Sequence, residues 1–307
     1  MNDPRKHHYN PVFYLSQWTG EDGLVCEFKL VHGKVGAQRR HPKATGFQRD
    51  LYQTDGVPAE QAQHVEKTFM SPLDNDAALA LQKIVSGDRS DWNGDERTAW
   101  TTFLLSLLFR NPENVAVIKD HILKLWEEGK AALEADYVAR RRPTDPATFA
   151  EFVALTNPAA PQIAASNFLM ETISNKQLGP TIFNMHWTRH ELTEAKVPTM
   201  TSDRPIVMPF GLADRRAYIA LPVSPTILFV AAHDTDFAKT VASWNKTKLV
   251  KELNKAVVCQ ARQFVWGTDD SQLDFVRRHI ATAPDRIILT EEHRKQALAA
   301  ARGEVGR

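Results

Sequence analysis

Two adjacent histidines stand directly before a proline-started, aromatic-rich segment, Lys6-His7-His8-Tyr9-Asn10-Pro11-Val12-Phe13-Tyr14-Leu15-Ser16-Gln17-Trp18. Pro11 fixes its own φ and pushes Asn10 toward extended backbone. A helix starting at Pro11 then buries Phe13, Tyr14 and Trp18. Histidines this early in a chain usually belong to a tag or a frayed tail. Here an apolar helix follows at once, so its docking holds both imidazoles against the fold.

The rest of the pattern sets the fold class. Leu24 to Val31 reads as a strand with Cys26, Phe28 and Leu30 on one face. His32-Gly33-Lys34 is a turn into a second short strand, and residues 41–52 read as irregular chain. From about residue 59 the pattern is helical, with Ala59 to Met70 and Asp74 to Val85 separated by Ser71-Pro72. The best-defined helix runs from Asn93 to Arg110. Its Trp100, Phe103, Leu104, Leu107 and Leu108 recur at i, i+3, i+4, i+7 and i+8. Asn111 then caps a new helix with Pro112 in its first turn, ending around Arg140-Arg141-Arg142-Pro143. Asp145-Pro146 and Pro161 start two more.

Near residue 182 the character changes. Met185 to Leu192, Thr199 to Val207, Ala217 to Pro222 and Thr226 to Ala232 read as strands. Two helical stretches, about 247–264 and 271–282, follow. Strict β-α alternation is missing, so the expected class is α+β. It is mostly helical, with one mainly antiparallel sheet built largely from residues about 182–232. Residues 1–290 are expected to form a single domain and 291–307 a frayed or helical tail.

Charge and motifs exclude several functions. The 307 residues carry 38 basic and 37 acidic side chains, a formal net charge of +1, which argues against a dedicated nucleic-acid binder. Cys26 and Cys259 are too isolated for a disulfide framework or a cysteine zinc site. They are expected as buried thiols in a reducing cytoplasm. Phe103 to Phe109, the longest apolar run, is too short to span a bilayer. No secretory signal follows the N-terminal basic residues, so a cytoplasmic protein with no membrane partner is expected. There is no glycine-rich phosphate loop and no Gly-x-Ser-x-Gly elbow, which disfavours ATP-driven chemistry, Rossmann dehydrogenases and standard serine hydrolases.

Several short stretches carry a family resemblance. The N-terminal His-His-Tyr-x-Pro-x-Phe-Tyr-Leu pattern is the most specific. Pro42-Lys43-Ala44-Thr45-Gly46-Phe47 leading to Leu51-Tyr52, Glu66 in Val-Glu-Lys, and Phe109-Arg110-Asn111-Pro112 add to it. So do Thr201-Ser202-Asp203-Arg204-Pro205-Ile206-Val207, Leu221-Pro222-Val223-Ser224-Pro225, and Asn254 with Ala261-Arg262. Together they resemble the bacterial family known as domain of unknown function 4238. Arg204 departs from the pattern, standing where a small polar residue, often Asn, is expected.

These stretches supply the candidate site. His7, His8 and Asp203 could ligate a divalent metal, with His8 and Asp203 alternatively serving as acid/base groups. Arg110, closing an apolar helix, could clamp an anion in bidentate fashion. Tyr14, Thr201, Ser202, Asn254 and Arg262 are the candidate ligand-binding residues around them. The spatial expectation is that the His7-His8 segment packs near Thr201-Ser202-Asp203. Arg110 or Asn254 would stand on the same wall. Two functions follow. One is a metal-assisted hydrolase acting on a phosphodiester or other anionic substrate. The other is a non-catalytic binding or interaction module in which the same residues form a structural polar network. The expected partner is a small anionic ligand, or a nucleic-acid strand if Arg39, Arg40, Lys43 and Arg140 to Arg142 meet in a groove. His186 and His190 share one strand face, expected to be solvated.

Overall fold

The computed structural model describes residues 5–284, 289 and 291–301. Helices hold 51% of the chain and strands 16%, which places it in the α+β class with helix dominant. The single sheet read from sequence is instead three antiparallel sheets. The first is a small pair, β1 (Lys6–His8) with β4 (Phe47–Arg49). The second comprises β2 (Val25–Val31), β3 (Lys34–Arg40), β6 (Thr201–Ser202) and β9 (Phe264–Gly267), in the order β3-β2-β9-β6. The third comprises β5 (His186–Glu191), β7 (Tyr218–Ser224) and β8 (Ile227–Ala232), in the order β5-β8-β7.

The strand expected over Thr199 to Val207 is cut to Thr201–Ser202. Pro205 cannot donate to a ladder, and Asp203 turns its carboxyl into the neighbouring loop. This short strand pairs with β9 rather than with the third sheet. The stretch holding β9 reads as a helix end in sequence. The helix there, α10 (Lys246–Gln260), stops at Gln260 and Phe264 enters the sheet.

Helices cover the sheets, beginning with the single turns α1 (Val12–Leu15) and α2 (Ala59–Ala62). The π-helical turn Glu66–Met70 runs straight into α3 (Ser71–Ser86). Ser71-Pro72 therefore does not separate two helices: Pro72 occupies the first turn of α3, where its missing N–H is tolerated. The helix α4 (Gly94–Phe109) begins with a reciprocal capping box between Asn93 and Glu96. Asn111 caps α5 (Pro112–Arg140) as expected. The helix α6 (Phe149–Thr156) starts at a Thr148–Glu151 capping box rather than at Asp145-Pro146. It is followed by α7 (Ala160–Ile173) and α8 (Leu178–Phe183). The helices α9 (Thr235–Ser243), α11 (Leu273–His279) and α12 (Glu291–Ala301) complete the described chain beyond the sheets. Thus residues 291–301 of the tail are helical, and the rest of it lies outside the described residues.

Packing follows from the period-2 pattern of β8. Ile227, Phe229 and Ala231 face a large cluster with Trp100, Phe103, Leu104, Ile173 and the N-terminal Tyr14 and Trp18. Leu228, Val230 and Ala232 face a second cluster built on Val250, Leu253 and Val257 of α10. Both faces of this sheet are therefore covered. Trp100 meets Phe229 edge-on at 5.5 Å, and Phe13 meets Phe103 at 5.3 Å. The helix Asn93 to Arg110 is central, with Trp100 and Phe103 fully buried. Cys26 is buried as expected, whereas Cys259 is only half-buried. His190 is also buried, contrary to the solvated face expected for it; His186 is exposed.

Candidate functional site

The N-terminal segment docks as a latch. Tyr9 and Asn10 donate their amides to the Gly46 carbonyl at 3.0 and 3.1 Å. Gly46 needs φ +65°, and a Cβ there would sit 2.7 Å from Leu15 and 3.0 Å from the Asn10 carbonyl oxygen. The segment then reaches residues 199–202, which end in β6. Asn10 Nδ2 donates to the Ser202 carbonyl at 2.9 Å, and Trp18 Nε1 to the Thr199 carbonyl at 2.9 Å. The Tyr14 hydroxyl donates to the Pro222 carbonyl at 2.8 Å and contacts Thr201 Oγ1 at 2.8 Å.

The candidate catalytic and metal residues are engaged in this latch. His7 is fully buried and stacks on Tyr52, with ring centroids 5.2 Å apart. Its Nδ1 accepts from the Tyr52 amide at 2.9 Å, so the proton sits on Nε2, which donates to Gln63 Oε1 at 2.5 Å. His8 is held at a pKa of about 4, first by burial and then by the Arg110 and Lys6 charges, and is neutral at neutral pH. Arg110 is fully buried and forks onto Asp74 at 2.7 and 3.0 Å. It also donates to the His8 carbonyl at 2.6 Å. The anion in the Arg110 fork is thus an internal carboxylate.

Asp203 serves a turn. Its carboxylate accepts the amides of Arg262, Gln263 and Phe264 at 2.9, 2.6 and 2.9 Å. Burial pushes its pKa up to about 6, while the three amides pull the other way. Ser202 Oγ donates to the Val257 carbonyl at 3.1 Å. Asn254 accepts from the Met200 amide at 2.9 Å and donates to the Pro198 carbonyl at 2.9 Å. The expected convergence therefore occurs through Asn10, Tyr14 and Arg110. His8 and Asp203 share no hydrogen bond. Among the described residues no three His, Cys, Asp or Glu side chains come together to hold a metal, so His7, His8 and Asp203 do not form the expected ligand trio.

Behind the turn that Asp203 fixes lies a cavity of about 530 Å³. Leu107, Leu108 and Phe109 from the end of α4 form one wall, and Ile206 and Met208 another. Asn111, Asn114 and Gln260 supply amides, and Arg204 and Arg262 supply two cations. Among the described residues no acidic side chain lines it. Glu113, at 3.7 Å from Arg204, stands at its edge with 51% of its side chain exposed. Arg262 also donates to the Ala283 carbonyl at 3.0 Å. Gln260 Nε2 donates to the Arg204 and Ile206 carbonyls at 2.5 and 2.9 Å, fixing the 204–206 wall. Cys259 lines the same space.

The sequence profile of the family described as "Protein of unknown function (DUF4238)" matches residues 6–271. The chain belongs to this family. The match spans the N-terminal latch, the Asp203 turn and both cavity arginines of this DUF4238 chain. Searches of curated proteins and of solved structures each return no match. Arg262 was among the candidates named from the sequence. Arg204 was legible only as a departure from the family pattern. The apolar walls gave no separate signal, because Leu107, Leu108 and Phe109 read as ordinary core.

The basic groove does not gain the same support. Arg39 is tied to Asp22 on β3, and Arg140 pairs with Asp136 at the far end of α5. Among the described residues no helix is long and apolar enough to cross a membrane.

Proposed function

We propose that the protein is a binding module for a small anionic ligand with an apolar body, held in the cavity between α4, α5 and α10. The observation that carries this is the pairing of an apolar chamber with two arginines on its lining. Its volume falls in the range of small-molecule sites. Arg204 and Arg262 would receive the anion, and Leu107, Phe109 and Met208 the apolar part. Binding is favoured over metal-assisted hydrolysis because both His7 nitrogens, the Arg110 fork and both Asp203 oxygens are engaged within the fold. In this reading the latch, with Asp203, Asn254 and Ser202, is the scaffold that positions the cavity wall.

The test uses 8-anilinonaphthalene-1-sulfonate, a flat apolar anion whose emission rises in apolar surroundings. Saturable one-site binding is expected, weakened at least about tenfold by Arg204→Met or Arg262→Met. Decanoate should compete and decanol should not. The probe should also slow alkylation of Cys259. Binding unchanged in both arginine variants, or equal competition by decanol, refutes the proposal.

A further inference from the structure

From Leu123 to Pro158 no residue of the chain is buried. This arm consists of the C-terminal half of α5, the following turn and α6. Its rings pack on one another: Trp126 on Phe149, and Tyr137 on Phe149 and Phe152. The helix α6 carries Phe149, Phe152, Val153 and Leu155 but buries none of them. Leu155 keeps 76% of its surface exposed and Val138 52%. A groove of about 500 Å³ opens between α5 and α6, with Trp126, Ala131, Phe149 and Val153 among its lining. Such a run of unburied apolar surface is unusual for a helix pair that must hold its own shape.

The charges of the arm are self-complementary. Glu127 stands at the groove, and Arg140, Arg141 and Arg142 stand about 20 Å further along, at the rise of an α-helix. Between them Ala131, Ala132, Ala135, Val138 and Ala139 are exposed small or apolar positions of α5, beside the charged Glu128, Lys130 and Asp136, of which Glu128 is paired with Arg294 of α12. Glu134 is turned to α6, where it accepts the Phe149 amide at 2.9 Å. Two arms laid antiparallel about a two-fold axis near Ala135 would set each arginine run over the other's Glu127. The same operation faces each Val138 with the partner's Ala131 at the groove. The existing ion pairs of these groups, Glu127 with Lys130, Arg140 with Asp136 and Arg142 with Asp145, are largely exposed and weak enough to exchange.

We infer that this arm is the interface of a homodimer, in which α5 and α6 of one copy pair antiparallel with α5 and α6 of a second. A second copy fits better than an anionic lipid surface or a nucleic acid, because the arm presents both signs of charge. A C2 contact needs that self-complementarity.

The experiment is sedimentation velocity on the full chain. At about 50 µM the expected mass is twice the 34.6 kDa protomer, falling toward the protomer on dilution. Glu127→Arg alone, or reversal of Arg140, Arg141 and Arg142 to Glu alone, should give monomer with an unchanged helical circular dichroism spectrum. Mixing the two variants should restore a dimer, since every reversed contact is then attractive again. Val138→Asp should also give monomer. A native chain that stays at 34.6 kDa throughout overturns the inference. So does a dimer untouched by either reversal, or a mixture that remains monomeric.

Discussion

Replacing Asp203 by Ala tests the central turn, and its pH dependence distinguishes two causes. At pH 7.5 the change strips the amides of residues 262–264 of their common acceptor. With water partly replacing it, about 1 kcal/mol per amide gives a loss of about 3 kcal/mol. Burial raises the folded pKa of this carboxyl to about 6, above the unfolded value of 3.8. A raised folded pKa contributes stability that is fully present below the unfolded pKa and is lost as pH rises through about 6. The wild-type side chain is therefore more stabilising in acid. At pH 4.5 the loss on Asp203→Ala should grow by about 2 kcal/mol, to about 5 kcal/mol. Urea unfolding followed by tryptophan fluorescence at both pH values measures this, provided the m-value is unchanged. A loss that shrinks toward pH 4.5 would show that the three amides, not burial, set this carboxyl. A loss below about 1 kcal/mol at pH 7.5 would mean the turn does not depend on Asp203. The same variant should weaken anilinonaphthalenesulfonate binding, because Arg262 sits on the released turn.

Two further outcomes concern buried titratable groups. Arg110→Met leaves the half-buried Asp74 carboxyl without its partner and should cost about 3 kcal/mol in urea unfolding, with Arg110→Met/Asp74→Leu recovering most of the loss. His8 and His190 both have folded pKa values lowered to about 4 by burial, so below pH 6.5 the unfolded chain takes up protons that the folded chain excludes. Stability should fall between pH 6.5 and 4 by up to about 3 kcal/mol per histidine, and His8→Gln or His190→Gln should flatten the profile. An unchanged slope in both variants would refute it.

Local rules in the sequence determined much of the fold. The apolar repeat of Trp100, Phe103, Leu104 and Leu107 placed the central helix, and Asn93 and Asn111 marked two helix starts, because spacing and caps act within one or two turns. Strand-prone apolar runs at 217–222 and 226–232, divided by Ser224-Pro225, marked two paired strands for the same reason. The Pro11 segment docked as its aromatic content demanded. Family membership was legible in short motifs. What the sequence could not decide was which groups meet. Arg110 finds Asp74, His7 finds Gln63, and Asp203 finds the amides beyond α10. Each pairing joins segments far apart in the chain, and each supplies partners to polar groups whose burial would otherwise be costly. The same crossing of α4, residues 204–208 and α10 leaves a chamber that no single segment encodes. Residue chemistry therefore nominated His8, Asp203 and Arg110, whereas tertiary packing built Asp203 and Arg110 into the scaffold and set Arg204 and Arg262 on the lining of the chamber.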